Sequence, residues 1–407
     1  MNCRHCNTHL EHTFLDLGFA PPSNAYVSRH ALKMPELYFP LKLLVCDQCW
    51  LVQTEDYTEA VDLFDNDYAY FSSISKSWLE HSRAYFELVK ERFSLNGDSH
   101  VIEIASNDGY LLKNFVNENI PCLGIEPTAS TAMAAEKLGI PVVREFFDSE
   151  LAKSLVEKKK SADLIIGNNV YAHVPDINSF TKGLKIILKS NGVVTLEFPH
   201  LMRMLEHTQF DTAYHEHFSY LSLTAVSNIF RREGLRIWDV EELPTHGGSL
   251  RIYGCHEESI RGTTTRVGEI LEQEERNGLM LITTYQDFQA RAESIKNNLI
   301  TFLIEQKKHG KSVVAYGAAA KGNTILNYSG IKTDLLSCVC DAAPSKQGKF
   351  MPGSHIPIMS PSILQERKPD YILILPWNIA SEVMSANSFV REWGAKFVIA
   401  VPELSVI

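Results

Sequence analysis

The chain contains no apolar run approaching the ~20 residues that a bilayer-spanning helix requires. It also lacks a charged-then-apolar leader at its start. These absences predict a cytoplasmic protein with no membrane partner. Positive charge is in short supply: 39 Lys and Arg face 49 Asp and Glu, a formal net charge of -10. Gripping a phosphate backbone needs a basic face, so no nucleic-acid partner is expected. Low-complexity tracts and visible internal repeats are absent.

What remains is the composition of a globular protein, 45% hydrophobic and 22% charged. Its 407 residues are long for one core and suggest two to four domains. Of the eight cysteines, four form two Cys-x-x-Cys turns, Cys3/Cys6 and Cys46/Cys49, while Cys122, Cys255, Cys338 and Cys340 are scattered in apolar surroundings. Two such turns complete a tetrahedral Zn(II) site with no open position for water, which makes the expected zinc structural. A pair of redox dithiols is the alternative, and His5, His9 and His12 lie near enough in sequence to be considered as ligands.

Three domains are expected, at 1–72, 73–258 and 259–407. The first is turn-rich and too small to build much core, so metal binding would supply folding free energy. The second opens on the helical pattern "ISKSWLEHSRAYFELVKERF". It then alternates strand-like runs ("HVIEIAS", "PCLGIEP", "ADLIIGNN", "GVVTLEFP") with amphipathic helices. This alternation predicts a parallel, doubly wound sheet with ligands at the carboxyl ends of its strands. "RIWDVEELP" and "SLRIYGC", joined by "THGG", read as an appended antiparallel hairpin. Long helical patterns follow over about 259–309, and then a second α/β domain built on "SVVAYG", "LLSCVC", "YILILP" and "KFVIAVPE".

Candidate chemistry collects at strand ends. The first strand of the central sheet carries Glu103 and runs into the small-residue turn Ala105, Ser106, Asn107, Asp108, Gly109. One glycine stands where the G-x-G-x-x-G dinucleotide fingerprint has three, which argues against pyrophosphate there. The second strand ends at Glu126, where such folds place a carboxylate on a ribose diol. An acidic turn plus an acidic second strand describes an adenosyl ligand without phosphates, and S-adenosylmethionine fits. Further along, Asn168, Asn169 and His173 end another strand, and "DTAYHEHFSYLSL" concentrates Tyr214, His215, Glu216, His217 and Tyr220. Histidine suits proton abstraction near neutral pH. A His-Glu-His metal cluster and a structural polar loop are the competing readings.

Taken together, the two cysteine turns, "EIASNDGYLL", "NNVYAHV", "YHEHFSYLSL", "THGGSLRIY" and "YGAAAKGNTILNY" resemble the deoxysugar C-methyltransferases, along nearly the whole chain. The resemblance implies a zinc-binding N-terminal domain, a central Rossmann-like class I methyltransferase sheet and a C-terminal α/β domain that helps hold a dTDP- or GDP-linked 4-keto sugar. It implies that His217 is the base removing the C-3 proton, that Tyr214 orients the sugar or the base, that Glu216 binds cofactor or positions the loop, and that His173 donates to the ketone oxygen. Which of His217, Tyr214 and His173 is the base stays open at this level. Tyr70 matches an aromatic contributed to the cofactor pocket. His246, Ser249, Lys321, Asn323, Lys346, Trp377 and Asn378 are the candidate sugar-nucleotide residues. Methylation of another small molecule, RNA or protein, and a non-enzymatic ligand-binding role, are the alternatives. The oligomeric state is undetermined, with a monomer compatible.

Overall fold

The structure is a computed structural model and describes residues 1–55, 72–74 and 76–407. Strands β1 (His12–Ala20), β2 (Phe39–Val45) and β3 (Val52–Thr54) form an antiparallel ladder. The central segment supplies β4 (Val101–Ile104), β5 (Cys122–Ile125), β6 (Val142–Val143), β7 (Ala162–Asn168), β8 (Leu188–Pro199), β9 (Ser219–Tyr220), β10 (Leu235–Leu243) and β11 (Ser249–His256). Seven of these make a sheet in the order β10-β11-β8-β7-β4-β5-β6. β4 to β8 pair in parallel, and the expected hairpin joins through β11, antiparallel to β8. From β4 the chain winds outward to β5 and β6 and then crosses back to β7. The carboxyl ends of β4 and β7 therefore flank a crevice.

The third sheet contains β12 (Val313–Tyr316), β13 (Val339–Cys340), β14 (Ile358–Met359), β15 (Tyr371–Ile374), β16 (Lys396–Ile399) and β17 (Ser405–Val406), in the order β14-β13-β12-β15-β16-β17. It too is parallel up to its last pair, and its strand order reverses between β12 and β15, whose carboxyl ends flank a second crevice. Helices Thr265–Arg276, Ile282–Gln286 and Phe288–Lys308 bridge the two α/β layers, where the sequence pattern calls for them. Among the described residues no helix is long and apolar enough to cross a membrane.

The N-terminal sheet is not closed by its own residues. Its fourth strand is β9, taken from the Tyr/His/Glu stretch, with Val52 opposite Tyr220 and Gln53 opposite Ser219. Its core is shared as well: Phe14, Leu15, Leu43 and Val45 pack in one cluster with Phe210, Phe288, Leu299 and Leu326. Phe14 meets the rings of Phe288 at 4.6 Å and Tyr285 at 5.4 Å. Each such side chain, fully buried, contributes about 1.5–3 kcal/mol. The N-terminal segment thus gains its stability from neighbours as well as from metal.

Candidate active site

Residues 209–220 are held chiefly from outside the methyltransferase sheet. From the N-terminal side, Thr54 Oγ1 donates to the His217 carbonyl (2.9 Å), Thr54 N–H donates to the Phe218 carbonyl (3.2 Å), and Asn24 Nδ2 donates to both Glu216 carboxylate oxygens (2.8 Å each). His215 turns the same way, its Nε2 3.3 and 3.2 Å from the Phe39 and Pro40 carbonyls. From the C-terminal side, Thr324 Oγ1 donates to the Ala213 carbonyl (2.8 Å) and Trp377 Nε1 to Asp211 Oδ2 (2.7 Å). The side chains of His215, Glu216 and His217 diverge, which removes the metal-cluster reading. Among the described residues, the one group able to hold a metal is Cys3, Cys6, Cys46 and Cys49.

His217 is buried, and its two ring nitrogens are distinguishable. Nδ1 lies 2.9 Å from the Thr212 carbonyl, an acceptor only, so Nδ1 carries the proton. Nε2 is then the lone-pair nitrogen, and Tyr214 Oη donates to it at 2.8 Å. Burial, reinforced by His173, holds the imidazole well below the usual histidine range, so it is neutral at physiological pH. The His173 and His217 rings meet edge-on at 4.7 Å. Burial brings His173 down to about 4, against a hydrogen bond to the Glu216 backbone carbonyl. A neutral ring engaged in that way would have to exchange this partner to donate to a substrate oxygen.

These groups open into a cavity of about 610 Å³, a size suited to small organic ligands. At one end lies the turn after β4. Ala105, Asn107 and Gly109 there have φ of 55°, 49° and 78°, a backbone that only glycine adopts without cost. A Cβ on Gly109 would stand 2.4 Å from Ile140 Cδ1, so this glycine serves the turn and its packing. Glu126 accepts from the N–H groups of Asn107 and Thr128, both at 2.9 Å, and burial raises its carboxyl. Asn168 lines the same cavity, and neither atom of its amide has a partner among the described residues. At the other end, burial lowers Lys321 to about 8. Its Nζ lies 4.4 Å above the Trp377 ring and 3.3 Å from the His246 carbonyl.

Of the residues singled out from sequence, Ala105, Asn107, Glu126, Asn168, Asn169, His173, Tyr214, Glu216, His217, His246, Lys321, Lys346 and Asn378 line this one cavity. Glu103, Asp108, Gly109, Ser249, Asn323 and Trp377 are not among its lining residues. Ser249 Oγ donates to the Thr245 carbonyl and Trp377 to Asp211, while Glu103 is buried within β4. Tyr70 lies outside the described residues. Sequence reasoning passed over Asn24, Trp78, Phe147, Asp148 and Thr212, all in the cavity wall. Only Asp148 had a local signal, as the helix cap in "FFDSE" whose Oδ1 accepts from Glu150 and Leu151 N–H.

The four cysteine sulfurs lie within 4.8 Å of one another, with Cys3–Cys49 and Cys6–Cys46 both at 3.5 Å. A tetrahedral zinc with Zn–S bonds of about 2.3 Å needs sulfur edges of ~3.8 Å, so the group fits. His5 is no ligand here: it is buried, with Nδ1 2.8 Å from Asn178 Oδ1.

Three stretches of the chain are similar to known families. Residues 3–64 match a zinc binding domain family, 78–240 a methyltransferase domain family, and 244–402 the C-methyltransferase C-terminal domain family. Solved structures with partial likeness include magnesium protoporphyrin IX methyltransferase from Synechocystis (12% identity, 44% of this chain and 79% of that one, TM-score 0.34). Another is a methyltransferase from Anabaena variabilis (16% identity, 43% and 84%, TM-score 0.34). Fold, cysteine site and domain matches define a zinc-containing methyltransferase dependent on S-adenosylmethionine. The chain is 33% identical over 372 residues, 91% of its length and 88% of the relative's, to the C-methyltransferase NovU of Streptomyces niveus. It belongs to the C-methyltransferase family with an N-terminal zinc-binding domain.

Proposed function

We propose that this enzyme methylates C-3 of a nucleotide-linked 4-keto deoxysugar through an enolate. The observation that carries the reading is a single cavity whose wall holds the adenosyl-type turn, the Tyr214–His217 pair, and Lys321, Lys346 and Asn378 from the C-terminal strand ends. S-adenosylmethionine supplies the methyl group in electrophilic form. A ketone at C-4 acidifies the C-3 hydrogen, and His217 Nε2 accepts that proton as the bonding pair moves toward the C-4 oxygen. Tyr214 Oη, which holds the Nε2 lone pair, gives it up to the C-3 hydrogen as the sugar enters and then orients the sugar. The C-3 carbon would then take the methyl group as its bond to sulfur breaks and the neutral thioether leaves, so a site that holds both molecules in line would supply much of the remaining acceleration. Lys321 and Lys346 bring positive charge to the end where a pyrophosphate would lie.

Incubation with S-adenosylmethionine and a panel of dTDP- and GDP-linked 4-keto-6-deoxy sugars in heavy water, read by mass spectrometry, tests this reading. The expected result is deuterium entry at C-3 and gain of one methyl group with one member of the panel. Neither event with any member would refute the acceptor class.

The pH profile is a second test. Because His217 titrates well below its ordinary value, kcat/KM should not fall as pH is lowered from 7.5 to about 6.5. Lys321, at about 8, loses its charge above that pH, so KM for the sugar nucleotide should rise there. Lys321→Arg should abolish the alkaline rise, since a guanidinium stays charged. An acid limb centred near 6.5 would contradict the assignment of His217.

A further inference from the structure

Trp377 was a sequence candidate for substrate binding, yet its one polar atom is spent elsewhere. Its indole N–H donates to Asp211, a residue of the short turn Phe210–Thr212 that enters the catalytic stretch. Asp211 is fully buried, with the Lys321 charge acting on its carboxylate, and among the described residues the indole is the only side chain hydrogen-bonded to it. The ring occupies the slot above Gly247, where a Cβ would stand 2.3 Å from it. The same turn is gripped on either side. Gln209 Nε2 donates to the Gly247 carbonyl at 2.7 Å, and the Phe210 ring meets Tyr328 of the C-terminal domain at 5.6 Å.

The residue after Asp211 is Thr212, whose carbonyl holds His217 Nδ1. Which nitrogen of an imidazole bears the proton is set by the partner of the other one. A carbonyl that swings away frees the ring to protonate at Nε2, the atom that must arrive bare for proton abstraction. We infer that Trp377 and Asp211 are positioning residues by which the C-terminal domain sets the tautomer of His217. The base is thereby competent only when that domain is docked. The inference rests on His217 being the base but not on the identity of the acceptor.

The test uses the zinc-loaded full-length protein labelled with ¹⁵N-histidine. The His217 signals are identified as those missing from His217→Asn. Long-range ¹H–¹⁵N correlation should show a single Nδ1–H tautomer in the parent protein. Trp377→Phe, which keeps an aromatic ring but not the N–H, should yield a mixture of tautomers, and so should Asp211→Ala. Asp211→Asn, whose amide oxygen still accepts from the indole, should keep the parent pattern. Turnover of Trp377→Phe should fall about tenfold in kcat, with S-adenosylmethionine affinity unchanged within twofold. A Trp377→Phe protein with the parent tautomer and parent kcat would overturn the inference. So would a mixed tautomer in Asp211→Asn equal to that in Asp211→Ala. The resonance measurement needs no acceptor, so an error in the proposed sugar would silence turnover and leave this result intact.

Discussion

Replacing His217 by asparagine is expected to lower turnover about 10³-fold, within the range a general base contributes. Asparagine keeps an N–H close to where Nδ1 donates to the Thr212 carbonyl, so the loop retains that tie. What it removes is the lone pair at Nε2 and the partner of Tyr214. The residues toward the β4 turn are untouched, so S-adenosylmethionine should bind as in the parent, as measured by calorimetry. If the proposed enolate route holds, exchange of the C-3 hydrogen in heavy water should be lost together with methyl transfer, because both would begin with the same proton abstraction. A variant retaining more than a tenth of the parent rate would remove His217 from the role of base. A variant that no longer binds the cofactor or melts far lower would assign the histidine to structure.

Loss of zinc should have a comparable effect by a different route. Structural zinc sites contribute about 10–16 kcal/mol of apparent binding free energy at neutral pH. Here the metal ties the start of the chain to the β2–β3 turn, since Cys46 follows β2 directly and Leu51, two residues past Cys49, leads into β3. β3 is the strand that carries β9, and Thr54 at its end holds the His217 carbonyl. Cys46→Ser should therefore abolish zinc retention in metal analysis and lower methyl transfer at least 100-fold, although the site contains no catalytic atom. S-adenosylmethionine binding, expected at the ends of β4, β5 and β7, should survive within a few fold. A Cys46→Ser protein purified free of zinc but fully active would show that the N-terminal sheet holds the loop unaided.

The dependence of residues 209–220 on contacts from both ends of the chain explains what sequence reading reached and where it stopped. Strand-end chemistry was legible because a parallel sheet sends every carboxyl end to the same edge. Glu126 and Asn168 were located from hydrophobic alternation and a single residue type, and both line the cavity. The cysteine turns were equally legible, because ligand spacing is a local property. Asn24 was not: it meets Glu216 across 192 positions, and nothing about an asparagine after Pro-Pro-Ser announces it. Trp377 shows another side of the same limit: its position after a strand end was legible, but its hydrogen bond to Asp211, 166 positions away, was not.

Alternation of apolar runs and cysteine spacing were enough by themselves to determine the class of fold and the metal site, and the Tyr/His/Glu cluster to single out candidates for moving a proton. Each of these depends on neighbours within a few positions, or on a periodicity that any window of the chain displays. Tertiary structure alone decided which nitrogen of His217 is bare, because that follows from a carbonyl on one side and a phenol on the other. It also decided that the loop is closed by β3 from one end of the chain and Trp377 from the other. A hydrogen bond between residues far apart in sequence leaves no local pattern, since either partner is compatible with many others until the fold brings the two within 3 Å of each other.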